Sequence, residues 1–455
     1  MRYVPHSNDD VREMLAAVGV SSTDELFATI PAAVRCAGRL DLPAPAAEAD
    51  VLRELAALAA RNRPATALVS FLGGGVYDTY VPAVVEAITG RSEFLTSYTP
   101  YQAERSQGLL QAIFEYQTAI CELTGLDVSN ASMYDGATAL AEAVVLATHG
   151  RREGTVVVSG GVHPEYLQVL ATETRGLLPA PVVAPVDDGG LTDPAALRAA
   201  VDGETAAVLI AQPNFFGALE DVAGAVRLAH DAGALAIVVA DPLSLGLLAT
   251  PGEQGADLCV GEGQSLGNPQ DFGGPGFGFF AARRELVRRM PGRIVGETVD
   301  AHGRRGFVLT LQTREQHIRR ESATSNICSN HALNALAGLV YLSWLGREGL
   351  PALTLQLARN AAYLRERLLE VPGVTAFTRG PVFREFAVRL PVEAGGLVTA
   401  LAGRGYLAGL DLGRFAAQLG DALPGLDHLL LLAVSERRTR AEIDAFVGEV
   451  RSYLG

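Results

Sequence analysis

The sequence contains no lysine. All 37 of its basic side chains are arginines, distributed over 455 residues. Lysine is normally among the commonest residues. Its absence from this chain, which is rich in alanine and arginine, is explained by replacement of lysine by arginine throughout. Arginine cannot act as a covalent amine, because its guanidinium group stays protonated and is a poor nucleophile. The chain alone is therefore excluded from Schiff-base chemistry on a lysine side chain.

Cysteine is also scarce. The four cysteines, Cys36, Cys121, Cys259 and Cys328, lie far apart and form no C-x-x-C pair. This spacing favours neither a metal site nor a disulfide framework. We expect them to be small buried hydrophobic side chains.

Basic side chains are fewer than acidic ones, at 37 against 51. The formal net charge is −14 and the isoelectric point is near 5.1, so nucleic acid and anionic membranes are disfavoured as partners. No apolar run approaches the length that spans a bilayer, and the N-terminus lacks a basic segment followed by an apolar one. These features predict a cytoplasmic protein, on which an acidic protein partner would need a local arginine patch.

The length predicts two or three domains. Residues 1–62 show short amphipathic helical patterns without enough apolar residues for a core of their own, so we expect them to pack on the next domain or on a partner. Residues 63–330 alternate strand and helix patterns and predict a large α/β domain. Residues 331–455 predict a long helix broken at 346–349, then short strands and a final helix, as in a small α/β domain.

The centre of the large domain is a buried strand that ends at a carboxylate. Residues 236–240 are apolar without polar alternation, and Asp241 follows them at the carboxyl edge of the predicted sheet, where open α/β sheets bind ligands. A polar segment around Ser265 and the glycine-rich loop 273–278 come next. This order resembles the cofactor core of aspartate-aminotransferase-like, fold type I pyridoxal phosphate enzymes, in which a lysine stands near the position of Ser265.

A second region carries tyrosines in loops broken by glycine and proline. It includes Tyr98, Thr99, Tyr101 and Gln102 between two helical patterns. Such side chains are costly to order without contacts. The loops either pack on their own domain or contact a substrate or partner, since loops often carry sites.

Several long motifs give a more specific resemblance. They are SEFLTSYTPYQAERSQGLLQAIFEYQT, CELTGLDVSNASMYDGATALAEA, QPNFFGALED, TREQHIRRESATSNICSNHAL and VSERRTRAEID. In this order they resemble the first half, or subunit 1, of the glycine cleavage P-protein family, from the N-terminus to the C-terminal helix. The resemblance implies the fold type I architecture without the cofactor lysine.

The same resemblance implies a function and partners. The second half of that family carries the lysine-bound pyridoxal phosphate, so this chain would be active only with a lysine-bearing second subunit, as in a heterotetramer. The pair would decarboxylate glycine and transfer the aminomethyl group to the lipoyl group of H-protein. Two alternatives remain: a paralogue that acts on another small amino acid or amine, and a non-catalytic pseudoenzyme that binds a related protein.

The resemblance also places a degenerate cofactor site. Asp135, Gly136 and Thr138 open a helix whose N-terminus could bind phosphate, although without lysine an ordinary helix cap is favoured for Asp135. His163 matches the ring that stacks on the cofactor, with a structural histidine as the favoured alternative. Asp241 matches the partner of the pyridine nitrogen, and no side chain of the chain is expected to act as the Schiff-base residue.

A basic cluster follows the large domain. It contains Arg319 and Arg320 and is followed by a run of small polar residues. A solvated charged surface is the usual interpretation of such a run. In the family the segment lies near the shared site, so the two arginines are candidates for a substrate or interface role together with Tyr98, Thr99, Tyr101 and Gln102.

Four positions depart from the family pattern. Leu95 stands in place of a tyrosine, Thr79 of a histidine, Ala103 of a proline and Ser322 of a lysine. Leu95 and Thr79 flank the loops that would face substrate. The departures indicate either neutral drift or an altered substrate, and drift is favoured.

Overall fold

The computed structural model describes residues 5–36, 38, 40–149, 154–420 and 423–455. Its contacts divide the chain into two units, Met1–Arg63 and Pro64–Gly455. The α-helices are α1 Asn8–Val18, α2 Glu48–Ala59, α3 Ala83–Thr89, α4 Ser92–Leu95, α5 Gln107–Thr124, α6 Gly136–Ala147, α7 Pro164–Glu173, α8 Pro194–Ala200, α9 Val222–Asp231, α10 Ala332–Leu369, α11 Ala394–Gly403, α12 Ala416–Leu419 and α13 Arg440–Leu454.

The strands are mostly short and lie in the second unit. They are β1 Val69–Ser70, β2 Val128–Ser129, β3 Thr155–Ser159, β4 Val182–Ala184, β5 Thr205–Gln212, β6 Leu235–Ala240, β7 Leu258–Glu262, β8 Gly278–Ala282, β9 Ile294–Val299, β10 Arg305–Thr310, β11 Thr375–Ala376, β12 Glu385–Arg389, β13 Tyr406–Leu407, β14 Leu410–Asp411 and β15 Leu429–Ala433.

The first unit is helical. Ser7 caps α1 through a capping box with Asp10, and Gly19 ends the helix in the left-handed conformation at φ 84°. Helix α2 follows. None of the described residues of this unit is buried, so the unit lacks a core of its own.

A seven-stranded mixed sheet organises the second unit. Its order is β2-β8-β7-β6-β5-β3-β4, and the strands from β7 to β4 are parallel. Strand β8 runs antiparallel to both neighbours. All eight residues of β5 are buried, as expected for a parallel strand with both faces covered. Because β6 ends at Ala240, Asp241 lies at the carboxyl edge of this sheet.

The two faces of the sheet bury alternate side chains. Val208 and Ile210 pack in the cluster that includes helices α5, α9 and α10, whereas Ala207 and Leu209 pack in the cluster that includes α6. This alternation is the two-residue period of a strand. The parallel sheet is therefore enclosed between two helical layers.

A smaller antiparallel sheet is built from residues near the C-terminus. Its order is β11-β12-β15-β14, and its core includes side chains of α10, α11 and α13. Helix α10 breaks at Gly346, where φ is 62°. The part before the break packs in the core of the large sheet, and the part after it contributes Leu357 to that core and Ala361, Leu364 and Leu368 to the core of the small sheet. The three-part division at residues 62 and 330 stays a prediction. Within the described part of the chain, no helix is long and apolar enough to cross a membrane.

The expectation of four buried cysteines was wrong for two of them. Cys259 is buried in β7 and Cys121 is half-buried in α5, but Cys36 and Cys328 are exposed. Both exposed residues lie in segments outside the helices and strands, where their neighbours do not enclose them. All four are free thiols.

Leu364 tests how the second half of α10 supports the small sheet. Its side chain is fully buried in that core. Leu364→Ala should lower the free energy of unfolding by about 2–5 kcal/mol, because it removes buried methyl groups and leaves a cavity. Leu355→Ala on the same helix is the control, since Leu355 is 39% exposed, and should cost no more than about 1 kcal/mol. Urea unfolding followed by circular dichroism measures both, and equal losses would contradict this assignment.

Candidate functional site

Asp241 at the sheet edge is held by an arginine from the small sheet. Its Oδ2 lies 2.6 Å from Nε of Arg384, and its Oδ1 accepts a hydrogen bond from the backbone N–H of Leu243 at 3.1 Å. Arg384 is buried, and its guanidinium carbon lies 3.5 Å from the ring centroid of Tyr77. The carboxylate is thus already paired within the chain.

Ser265 lies beside the same arginine. Its hydroxyl accepts a hydrogen bond of 3.4 Å from Nη2 of Arg384. The neighbouring Glu385 accepts from the Gly74 N–H and from the Tyr77 hydroxyl, at 2.7 and 2.9 Å. Burial raises the pKa of Glu385 to about 7, because the charged form loses hydration.

The N-terminus of α6 is occupied by carboxylates of the chain itself. Asp135 caps the helix in a capping box with Thr138, whose N–H donates to Oδ1 of Asp135 at 2.8 Å. The Gly136 N–H donates to Glu262 at 3.0 Å. A Cβ on Gly136 would lie 2.4 Å from the Tyr166 hydroxyl, so only glycine fits there. Glu262 occupies the position at which a helix N-terminus would bind an anion.

His163 is held by backbone and aromatic neighbours. Its Nε2 donates to the Gly74 carbonyl at 3.0 Å, and its Nδ1 accepts from the Glu165 N–H as the cap of α7. The ring centroid of Phe215 lies 4.7 Å away, in an edge arrangement. Burial lowers the pKa of His163, which favours the neutral imidazole.

His163, Asp241, Glu262 and Ser265 line one cavity of about 90 Å³, which we name the vestigial pocket, whereas Asp135, Gly136 and Thr138 are not part of its lining. Its lining includes Gly74, Gly75, Tyr77, His163, Tyr166, Asn214, Phe215, Asp241, Glu262, Ser265, Arg384 and Glu385.

The vestigial pocket does not fit pyridoxal phosphate. No lysine is present, Asp241 is paired with Arg384, and Glu262 already accepts the Gly136 N–H at the helix N-terminus that a phosphate would need. Both Asp241 and the Gly136 N–H are therefore satisfied by other side chains of this chain.

A second cavity lies beside the tyrosine loop and measures about 260 Å³. We name it the tyrosine pocket. It is lined by Ser97, Tyr98, Thr99, Pro100, Ile113, Ala131, Pro275, Arg293, Ser329, Asn330, His331, Ala332, Leu333 and Asn334.

Arg293 joins the two walls of the tyrosine pocket. Its Nη2 donates to the Tyr101 hydroxyl at 3.2 Å and to the Cys328 carbonyl at 2.6 Å. Its Nε lies 3.6 Å from Glu315, and both side chains are buried. One buried cation therefore positions the tyrosine loop against the segment that precedes α10.

Other predicted candidates lie outside the lining of this pocket. Tyr101 contacts the pocket through Arg293 and makes an edge contact with His317, with ring centroids 5.6 Å apart. Gln102, Arg319 and Arg320 are exposed. The structure thus places Tyr98 and Thr99 in the lining and Tyr101 beside it, whereas Gln102, Arg319 and Arg320 lie outside the lining.

The departures from the family pattern lie away from the lining as well. Leu95 is exposed at the end of α4, Ala103 packs near Phe307, and Thr79 is buried without a hydrogen-bond partner among the described residues for its hydroxyl. The side chain of Ser322 lies outside the described part of the chain. Neither Leu95 nor Thr79 lines the tyrosine pocket, so their positions do not indicate an altered substrate.

Sequence reasoning missed the residues that the small sheet and the distant loops contribute. Arg293, Asn330 and Asn334 line the tyrosine pocket, and Arg384 and Glu385 line the vestigial pocket. The adjacent charges of Arg384 and Glu385 at the start of an apolar strand were a usable signal, because charges in such strands require partners. Among the described residues, no group of His, Cys, Asp and Glu side chains could hold a metal ion.

The Asp241–Arg384 pair gives a test by double substitution. Arg384→Met should cost about 3–5 kcal/mol of unfolding free energy, because it leaves a carboxylate without its partner in a largely buried site. Arg384→Met combined with Asp241→Asn removes both charges and should cost clearly less than the sum of the two single changes. Urea unfolding of the three variants and the parent measures the coupling. Strictly additive losses would show that the two groups do not stabilise each other.

Comparisons with known proteins agree along the whole chain. The family model described as "Glycine cleavage system P-protein" matches residues 1–447. A relative from Moorella thermoacetica, named "Probable glycine dehydrogenase (decarboxylating) subunit 1", is 52% identical over 454 residues, covering 100% of both chains. At this identity and coverage the relationship is one of family and not only of fold.

Solved structures agree with the sequence comparison. The chain is similar to an inhibitor-bound glycine decarboxylase (P-protein) of the glycine cleavage system, with a TM-score of 0.88, 48% identity and full coverage of both chains. The cysteine desulfurase CsdA from Escherichia coli shares the fold at a TM-score of 0.64 and 18% identity, over 88% of this chain and 98% of that one. The fold is therefore fold type I, as predicted, and the chain belongs to the glycine cleavage system P-protein family.

Proposed function

We propose that this chain is the subunit of a glycine dehydrogenase (decarboxylating) that lacks the cofactor lysine. A second subunit bears the lysine and pyridoxal phosphate, and the pair decarboxylates glycine and transfers the aminomethyl group to the lipoyl group of H-protein. When bound there, the cofactor supplies an electron sink for the carbon that loses carbon dioxide. We further propose that the complex acts in the cytoplasm.

One observation carries this proposal: in this chain of the P-protein family, Asp241 is paired with Arg384 and Glu262 accepts the N–H of Gly136 at the start of α6. The Asp241–Arg384 pair and the Glu262 cap leave no partners for the cofactor in the vestigial pocket. A family that performs cofactor chemistry must then hold the cofactor elsewhere. A second subunit is the simplest place for the cofactor. The name of the Moorella thermoacetica relative includes "subunit 1", which is consistent with a second subunit.

Exposed apolar side chains near the tyrosine pocket support a subunit interface. Tyr98 is 72% exposed, and Leu95, Tyr101 and Ile318 are each at least half exposed. Ile318 is the neighbour of His317, which contacts Tyr101. Exposed clusters of this kind are typical of protein interaction sites.

The tyrosine pocket supplies neutral hydrogen-bonding groups at this surface. The hydroxyl groups of Tyr98 and Thr99 in the lining, and that of Tyr101 beside it, can orient a small substrate or a carrier arm without adding charge. In the proposed complex the pocket forms one wall of a site whose other wall is the partner subunit. Its role is to position the substrate and to exclude water, and the bond-breaking step needs groups that this chain does not have.

The first test separates the chain from its partner. The isolated chain should show no absorbance of a lysine-bound cofactor and no glycine decarboxylation, because it has no lysine. Addition of the second subunit should give both, with co-sedimentation at micromolar concentration. A borohydride-reducible cofactor adduct on this chain alone, or a monomer that ignores the partner, would overturn the proposal.

A second test addresses the tyrosine loop in the reconstituted complex. Tyr98→Phe and Tyr101→Phe should each lower kcat/KM for glycine by about tenfold, since each removes one hydrogen-bonding hydroxyl from the shared site. Tyr363→Phe is the control, because the Tyr363 hydroxyl bonds to Asp444 on the surface of the small sheet's helices. Equal kinetics for all three variants would assign the loop a purely structural role.

A further inference from the structure

A β-bulge lies where the chain after β2 runs beside β8. Ser129 pairs with Ala281, and Met133 pairs with Gly278 in the same antiparallel direction. Four positions (133 − 129) separate the two residues on the β2 side, but only three (281 − 278) on the β8 side. The β2 side therefore carries one extra residue. A bulge of this kind bends the strand and redirects a side chain, and bulges are frequent beside functional sites.

Ser132 has a strained backbone within this bulge. Its φ is 131°, in a region that residues other than glycine rarely adopt, and the residue is fully buried. Such a conformation costs free energy and persists only where the surroundings hold it. Asn130 holds it here, since its Oδ1 accepts the Ser132 N–H at 3.2 Å and its Nδ2 donates to the Pro291 carbonyl at 3.1 Å. Glycine would adopt this backbone without strain, so the serine hydroxyl needs a reason of its own.

The Ser132 hydroxyl is bonded to a residue that lines the tyrosine pocket. It accepts a hydrogen bond of 2.7 Å from Nδ2 of Asn330, which lies 198 positions away in the sequence. The same Nδ2 donates to the Ala131 carbonyl at 3.0 Å. Both N–H groups of the amide are thereby used, so the orientation of the Asn330 side chain is fixed.

A neighbouring residue holds the same segment through its backbone. The Tyr134 hydroxyl accepts the N–H groups of Cys328 and Ser329, at 3.2 and 3.3 Å. We name residues 328–331 the pocket wall, because three of them line the tyrosine pocket. Ser132 and Tyr134 thus anchor the pocket wall to the chain that follows β2, one through a side-chain amide and the other through two backbone amides.

We propose that Ser132 is a positioning residue, which holds the pocket wall in place through Asn330. The strained bulge is what brings its hydroxyl within hydrogen-bonding distance of that amide. Ser132 does not line the pocket itself, so it acts on a bound molecule only through the wall. Its effect on glycine turnover rests on the proposed function, whereas the anchoring of the wall does not.

The anchoring is tested on the full chain with Ser132→Gly and Ser132→Ala. Both remove the hydroxyl, so hydrogen exchange of peptides that cover the pocket wall, measured by mass spectrometry, should become about tenfold faster. Glycine relieves the strained backbone and alanine does not. The unfolding temperature of Ser132→Gly should therefore lie about 1–2 °C above that of Ser132→Ala.

Ser159 provides a matched control. It is a fully buried serine in β3, its hydroxyl lies 2.6 Å from that of Thr192, and its φ is not positive. Here the order of stability should be reversed, because glycine weakens a regular strand relative to alanine. Neither Ser159→Gly nor Ser159→Ala should change hydrogen exchange at the pocket wall.

The reconstituted complex tests the consequence for turnover. Ser132→Gly and Asn330→Ala should each lower kcat for glycine about tenfold with a smaller change in KM, because a displaced wall misorients a bound substrate more than it weakens binding. Combined, they should lower kcat no further than Asn330→Ala alone, since Ser132 acts through Asn330. Ser159→Ala should leave kcat unchanged.

Three results would overturn the positioning role of Ser132. They are unchanged exchange at the pocket wall in both Ser132 variants, a Ser132→Ala variant more stable than Ser132→Gly, and a glycine-active complex in which Ser132→Gly keeps full kcat or in which the two losses multiply. A parent complex without glycine turnover would refute the proposed function alone, because hydrogen exchange decides the anchoring by itself.

Discussion

The buried ion pair between Asp241 and Arg384 is the interaction on which the functional interpretation depends. It joins the carboxyl edge of the large sheet to the start of β12 in the small sheet, with the Tyr77 ring against the guanidinium. Each charge would be costly to bury alone, so each requires the other. The same pairing occupies the carboxylate that a pyridine ring would need. The pair therefore both stabilises the buried charges and leaves Asp241 already partnered within the chain.

The helix N-terminus beside this pair follows the same rule. An uncompensated first turn attracts an anion, and in α6 two N–H groups of this turn already donate to Asp135 and Glu262. In α10 no carboxylate of the chain performs this role for the described residues. The N-terminus of α6 is thus satisfied within the chain, whereas that of α10 has N–H donors that are free among the described residues. This difference distinguishes the vestigial pocket from the tyrosine pocket, which we assign to the shared site.

Arg293 connects the tyrosine pocket to the interior. Its bonds to Tyr101 and to the Cys328 carbonyl join two segments that are distant in sequence, and Glu315 fixes its charge in a buried position. The adjacent exposed side chains of Tyr98 and Leu95 are an apolar surface that the chain does not cover. A lysine-free chain with a rigid polar wall and an uncovered apolar rim is suited to work as one half of a shared site.

The exclusion of Schiff-base chemistry, the strand that precedes Asp241 and the long motifs of the family could all be predicted from the sequence, because they depend only on residue identity and local periodicity. Helix breaks at Gly19 and Gly346 were also readable, since glycine is the residue that ends or bends helices at positive φ. The contacts of Asp241 could not be predicted in this way, because they depend on how the two sheets pack. Its partner Arg384 is 143 positions away (384 − 241), and sequence spacing carries no information on pairs brought together by sheet packing. The exposure of Cys328 and the burial of Arg293 were decided in the same way, by which loops fold over each side chain.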